Sequence, residues 1–421
     1  LSCMLKSIAS GDLSRRSSVS NPEATTLLCF SHLRWDFVYQ RPQHLLSRFA
    51  RTSRVFYIEE PMYGGDAPQL TISPREHGLS VVVPLLPSNL SDEAQHRALG
   101  ELIDELIAQE SITAFIAWYY TPMALPWTRH LEPIALVYDC MDELSLFRGA
   151  PQAMVERERE LIALADIVFT GGTSLYEAKR ARSDNVHCFP SSVDSDHFRQ
   201  ARIRHQDPAD QAGIPRLRLG FAGVIDERMD IELLAELASA RPDWHLVLVG
   251  PVVKINPDLL PQLPNIHYLG AKPYAELPLY MSGWDVALLP FALNESTRFI
   301  SPTKTPEYLA AGLPVVSTPI RDVVSPYGVA ELVQIGRTAE EFVEAVEREL
   351  DRSSLERSRW LKRVDGFLST MSWDRTHEKM RELIVQLITR PAQAREVPLA
   401  SVRRVAAVAP MVARFDVAME A

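Results

Sequence analysis

At 421 residues, with 46% apolar and 23% charged residues, the chain has an ordinary globular balance and enough length for more than one core. A formal net charge of −10 argues against whole-surface nucleic-acid binding, and no run of about 18 uninterrupted apolar residues offers a membrane-spanning helix. The four cysteines, Cys3, Cys29, Cys140 and Cys188, lie far apart without C-x-x-C spacing, so they read as thiols of a reducing, cytoplasmic compartment rather than a disulfide set.

Residues 1–23 contain Ser and Arg but no long apolar stretch, so they read as a disordered extension without a secretory signal. Short apolar runs then alternate with helical patterns, the signature of βαβ units and parallel sheets. In a first domain, 24–198, strands are expected at 26–30, 55–58, 79–85, 114–118, 134–138, 167–170 and 186–189. Helices are expected at 42–51, 92–109, 153–165 and 174–182. Residues 199–216 are polar, carry Pro208, Gly213 and Pro215, and read as a linker. A second domain, 217–370, repeats the alternation, with strands at 217–221, 244–249, 266–269, 286–289, 315–317 and 332–335. Its helices are expected at 231–240, 274–282, 302–311 and 339–350. Residues 391–421 form an Ala/Val/Arg-rich tail. Two doubly wound domains facing across a cleft are the simplest architecture, with ligands at the carboxyl ends of the strands.

The segment Ser301-Pro302-Thr303-Lys304-Thr305-Pro306-Glu307 opens a helix that Gly312 stops, with Ser301 or Thr305 as its expected N-cap. Lys304 opposes the helix dipole there, so it calls for an anion to share with the free N–H groups around the Ser301-Pro302-Thr303 turn. Glu307 is placed to grip sugar hydroxyls. After the strand at 217–221, Gly223 permits close approach of a phosphate and Arg228 supplies a second cation; a plain strand–loop–helix joint is the alternative. Gly250 and Tyr274 lie on loops suited to hold a base. Trp35, Asp36, Gln40, Arg41, Gln43 and His44 crowd one loop, read as acceptor contacts or as a domain-packing lid. Asp139 and Asp142 stand just past a strand end, as base, acceptor contacts or local caps. Asp194-Ser195-Asp196 reads as a helix cap and not as a metal motif, and no His/Cys grouping has zinc spacing, so no metal is expected. Arg34, Arg41, Arg48, Arg51 and Arg54 concentrate positive charge, read as a solvated face or as peripheral contact with an anionic membrane surface.

Four stretches together resemble the GT-B-fold glycosyltransferases of the retaining family 4, or "glycosyl transferases group 1", type. Pro190-Ser191-Ser192-Val193-Asp194 with His197-Phe198 is similar to the family's turn before the interdomain linker. Gly223 to Arg228 resembles its phosphate loop, and Pro302 to Val316 its Glu-Ala-Met-Ala-x-Gly-x-Pro-Val-Val block. Ser372-Trp373 resembles the opening of the helix, here 371–390, that crosses back to the first domain. The Trp35–His44 loop and the Tyr138–Glu143 segment further resemble a bacterial subgroup linked to cell-surface polysaccharide, including teichuronic acid glycosyltransferases. The usual phosphate-loop Arg is Val224 here, and the first Glu of the family's Glu-x7-Glu pair falls at Phe299, with Thr297, Arg298 and Glu295 as candidate substitutes for its donor-sugar contact.

The resemblance implies transfer from a nucleotide diphosphate sugar to a hydroxyl of a cell-surface glycan or lipid-linked precursor, without metal or resident cofactor and with retention. Arg228 and Lys304 then carry the leaving diphosphate, while His44, Asp139 and Asp142 orient the acceptor. A GT-B-fold nucleotide-sugar epimerase and a non-catalytic GT-B-like binding protein are the alternative readings. The inner face of the plasma membrane is a further expected location.

Overall fold

Apolar runs bounded by turn residues become strands covered on both faces, as parallel sheets require. The computed structural model describes residues 25–389. The extension 1–23, Cys3 and the tail 391–421 lie outside those residues. The first sheet contains β1 (Thr26–Ser31), β2 (Val55–Glu59), β3 (Met62–Tyr63), β4 (Gln69–Pro74), β5 (Leu79–Leu86), β6 (Phe115–Tyr119), β7 (Ala135–Cys140), β8 (Ile167–Thr170) and β9 (Val186–Cys188). Its order is β3-β5-β2-β1-β6-β7-β8-β9, with β4 added antiparallel to β5 and every other pairing parallel. The second sheet contains β10 (Arg218–Ala222), β11 (His245–Val249), β12 (Ile266–Gly270), β13 (Val286–Leu289), β14 (Val315–Ser317) and β15 (Gln334–Ile335). It is parallel, in the order β12-β11-β10-β13-β14-β15.

Each sheet is doubly wound, and strand order reverses at β1/β6 in the first and at β10/β13 in the second. Loops leaving those strands are where such sheets place ligands. Burial explains the strands that sequence patterning locates: β1, β2, β6 and β10 are buried throughout. Two of the elements without an expectation show why their signals are weaker. β4 is an exposed edge strand with only Leu70 and Ile72 as large apolar residues. The helix Ser354–Leu368 buries only Trp360, Val364 and Leu368, although Ser353 and Glu356 form a capping box at its start.

The stretch read as a linker is fastened to the second domain. Trp284 donates its indole N–H to Gln211 Oε1 (2.9 Å), and Arg218 pairs with Asp207 (2.8 Å). The helix Trp373–Thr389 returns to the first domain, where Trp373, Met380 and Ile384 join a core with Leu45, Leu46 and Phe49. Trp373 stacks on His44 at 4.6 Å and 10°, and Asp374 accepts a two-pronged bond from Arg48.

Candidate active site

The second sheet's switch point builds the site. The chain leaves β10 at Ala222, whose N–H donates to the buried Tyr308 hydroxyl (2.7 Å), fixing the following Gly223 against the helix Lys304–Ala310. Thr303 occupies the N-cap position of that helix, and no side chain bonds there. Ser301 and Thr305 therefore do not cap it: Ser301 offers its carbonyl to Ser191 Oγ of the first domain (3.1 Å), and Thr305 is buried. Gly312, at φ +78°, ends the helix as expected.

Two compartments of the interdomain cleft, about 130 and 290 Å³, share Val38, Tyr39, Gly223 and Lys304 in their walls. Gly250 adopts φ +151°, and a Cβ there would lie 1.8 Å from the Gly223 carbonyl oxygen, so only glycine lets the two loops meet. Lys304, with 17% of its side chain exposed, reaches Glu307 Oε2 at 3.1 Å. Glu307 is buried behind Lys304 and lines neither compartment, so the expected ribose grip becomes support for the lysine. Burial raises its carboxyl pKa, and Lys304 opposes that rise.

The smaller compartment sets Asp142 of the first domain near Arg228 of the second. Burial pushes the half-buried Asp142 carboxyl up to about 6 against the opposing pull of Arg228. Arg228 grips Asp226 through Nε and Nη2 (3.0 and 2.6 Å) and lies 5.4 Å over the Phe147 ring. Lys254 approaches the same ring at 5.3 Å, so two cations of the second domain embrace one aromatic of the first. Ser301, Pro302 and Thr303 line this compartment as well.

Several expected contacts are redirected. Asp139 is fully buried and bidentate to Arg41 (2.8 and 3.1 Å), which also donates to the Phe189 carbonyl. Arg41 stands in the wall of the smaller compartment with its guanidinium committed to that pair, and Asp139 lines neither compartment. His44 is buried against Trp373 and edge-on to Tyr39, with its pKa held well below the usual range by burial and then by Arg48; it packs the domain junction and is not an acceptor ligand. Gln43 is buried, donating to the Trp35 carbonyl and accepting from the Gln40 N–H. Tyr274 is sandwiched by Tyr39 (4.5 Å, 26°) and His197 (4.4 Å, 15°), so its faces are not open to a base. Thr297 closes its own turn on Asn294 and Ala292, and Arg298 is exposed beside Glu295; neither lines the cleft. Trp35 and Asp36 do line the larger compartment, and Gln40 the smaller, with Asp36 also paired to Arg75. Each arginine of the cluster has a carboxylate partner: Arg34 pairs with Glu59, Arg41 with Asp139, and Arg54 with Glu110, while Arg48 and Arg51 share Asp374. Arg34, Arg51 and Arg54 keep exposed side chains, whereas Arg41 is buried.

Residues 216–352 match the family model described as "Glycosyl transferases group 1". The second domain is a group 1 glycosyltransferase domain. The glycosyltransferase chain is 27% identical, over 307 residues, to TuaH of Bacillus subtilis (strain 168), described as a teichuronic acid biosynthesis glycosyltransferase; the match covers 68% of this chain and 75% of that protein. Sucrose-phosphate synthase from Thermosynechococcus elongatus shares the fold with a TM-score of 0.60 at 16% identity, covering 86% of this chain and 99% of that one. An E. coli trehalose-6-phosphate structure bound with UDP-2-fluoro glucose gives 0.63 at 12% identity, covering 87% and 100%. The fold of this glycosyltransferase is GT-B.

Phe299, standing where the family's first Glu is expected, packs against the first domain's core. Sequence reasoning also missed Asp226, Phe147, Lys254 and His32. His32 follows β1 directly, with Nδ1 buried and unpaired and its pKa lowered to about 4 by burial and then Lys254. Its place just beyond the first switch-point strand was the available signal; Lys254 gave none, because it meets the first domain only in the folded chain. Among the described residues no group of His, Cys, Asp or Glu converges with metal-binding geometry.

Proposed function

We propose that the protein transfers a glycosyl group from a nucleotide diphosphate sugar to a hydroxyl of a cell-surface glycan or lipid-linked precursor, without a metal and with retention. The observation that carries this reading is the convergence of Gly223, Lys304 and Arg228 at the switch point of the second sheet, facing Asp142 across the cleft. Lys304 and Arg228 oppose the charge that grows on the departing diphosphate, an effect strengthened where water is scarce. Each cation already rests on a carboxylate, Glu307 or Asp226, which holds it in place. Asp142 receives the acceptor hydroxyl and its proton, and the larger compartment, walled in part by Gly250, Ala271 and Lys272, takes the nucleoside. The nucleotide-sugar ligand of the E. coli structure supports the donor class by fold analogy, and TuaH supports the acceptor class.

A thermal-shift screen against nucleotide sugars tests the reading. The true donor at about 100 times its Kd stabilises the fold by about 2.7 kcal/mol, and Lys304→Ala removes most of that shift. A panel that leaves the melting curve unmoved, or a shift that survives both Lys304→Ala and Arg228→Ala, would refute the donor site.

A further inference from the structure

A cavity of about 700 Å³ lies outside the cleft, where both domains and the crossover helix meet. Its volume falls in the range of small-molecule sites, about 300–1,000 Å³. The first domain supplies Phe189 and Ser192, the second Tyr327 and Phe367, and the helix Trp373–Thr389 supplies Arg375 and Lys379. Ser191 and Ser301 stand in its wall and in that of the cleft, and their hydrogen bond of 3.1 Å separates the two spaces.

The cations here lack acidic partners. Every arginine of the 34–54 cluster rests on a carboxylate, yet Arg375 donates only to the Ser369 carbonyl through its side chain, and Lys379 has no ion pair among the described residues. They are four apart on one helix, where like charges repel, and Arg375 lies in the first turn, where the dipole disfavours a cation. The wall's carboxylate, Asp322, is committed to the N–H of Ser174 (3.1 Å). Independently, Ser192, 4% exposed, lines the cavity with a buried Oγ that has no hydrogen-bond partner. Aromatic walls, a pair of cations and an unused hydroxyl suit an anion carried on an organic body.

We propose that this junction cavity binds a phosphate-bearing small molecule, its anion held by Arg375 and Lys379 and its body against Phe189, Tyr327 and Phe367. The site is concave and walled by three parts of the chain, which favours a soluble ligand over a flat lipid surface. Occupancy bridges the domains and presses on the Ser191–Ser301 contact that borders the donor segment, so ligand and donor are coupled.

Isothermal titration with glucose 6-phosphate, and with glucose as the uncharged control, tests the site in the full chain. The phosphate ester binds with a Kd of about 1 mM or tighter, which is about −4.1 kcal/mol or better, and glucose does not. Lys304→Ala, which disables the cleft's phosphate contact, leaves that Kd within about twofold, while Arg375→Gln with Lys379→Gln weakens it about tenfold or more, the scale of losing charge-assisted bonds. Thr376→Trp, which fills the cavity from the helix, abolishes binding by a route independent of charge. The proposal is overturned by absence of binding, by equal binding of glucose, by loss in Lys304→Ala, or by affinity unchanged in the cavity variants. A cleft that fails to bind nucleotide sugars would leave these outcomes unaltered, so the two readings fail separately.

Discussion

Asp142 is a carboxyl caught between burial and a cation, and burial wins, lifting its pKa to about 6. In the proposed role of proton acceptor it works only when ionised, so kcat/KM is expected to rise with pH through about 6, and Asp142→Asn to abolish both the limb and most of the rate. The stability linkage has the opposite sign. A carboxyl raised on folding contributes stability that is fully present below its unfolded pKa and lost as pH rises through about 6; Asp142→Asn therefore removes that decline in a denaturation series from pH 4 to 8. Arg41 and Asp139 illustrate a different fate. Loop residues with chemical character were read as substrate contacts, but folding brings positions 98 apart into a buried pair. Removing one member, Arg41→Ala or Asp139→Ala, leaves an uncompensated buried charge and costs about 3–5 kcal/mol by urea denaturation.

The helix Lys304–Ala310 spans seven residues and depends on its surroundings. Tyr308 ties it to β10, and residues 305–310 are buried. The sequence made this element visible through its prolines and Gly312, whereas its cap was misplaced because Ser301 is drawn to Ser191 in the other domain. The crossover helix is anchored chiefly by Trp373, 1% exposed and stacked on His44. Trp373→Ala is expected to cost about 3–5 kcal/mol. Near-ultraviolet circular dichroism should lose intensity as the stack is removed, and an unchanged melting temperature would contradict this role.

Across the whole molecule, the domains are joined by specific polar and aromatic contacts as well as by the chain. Asp322 of the second domain accepts from the Ser174 N–H of the first, Tyr274 stacks on Tyr39, and Phe299 packs against the first domain's core. Glycosyltransfer needs such closure to keep water from the donor. Asp322→Ala strips a buried N–H of its acceptor, at about 1–3 kcal/mol. It should enlarge the radius of gyration by small-angle scattering and raise donor hydrolysis relative to transfer.

The sequence by itself determined the alternation of strands and helices, and therefore two doubly wound sheets, because apolar period and turn chemistry are local properties. It also singled out Gly223, Arg228 and Lys304, since glycines and cations at strand ends are conspicuous in a linear reading, and folding brings the three to the wall of one compartment. Only the tertiary structure decided which charges were already spent. Whether Arg41, Asp139, His44, Tyr274 or the arginines of 34–54 face solvent depends on partners tens to hundreds of residues away, and the energy of pairing or stacking buried groups exceeds any preference written in the neighbouring residues. The same long-range packing placed Lys254 beside Phe147 and gathered Arg375, Lys379 and Ser192 around a single cavity.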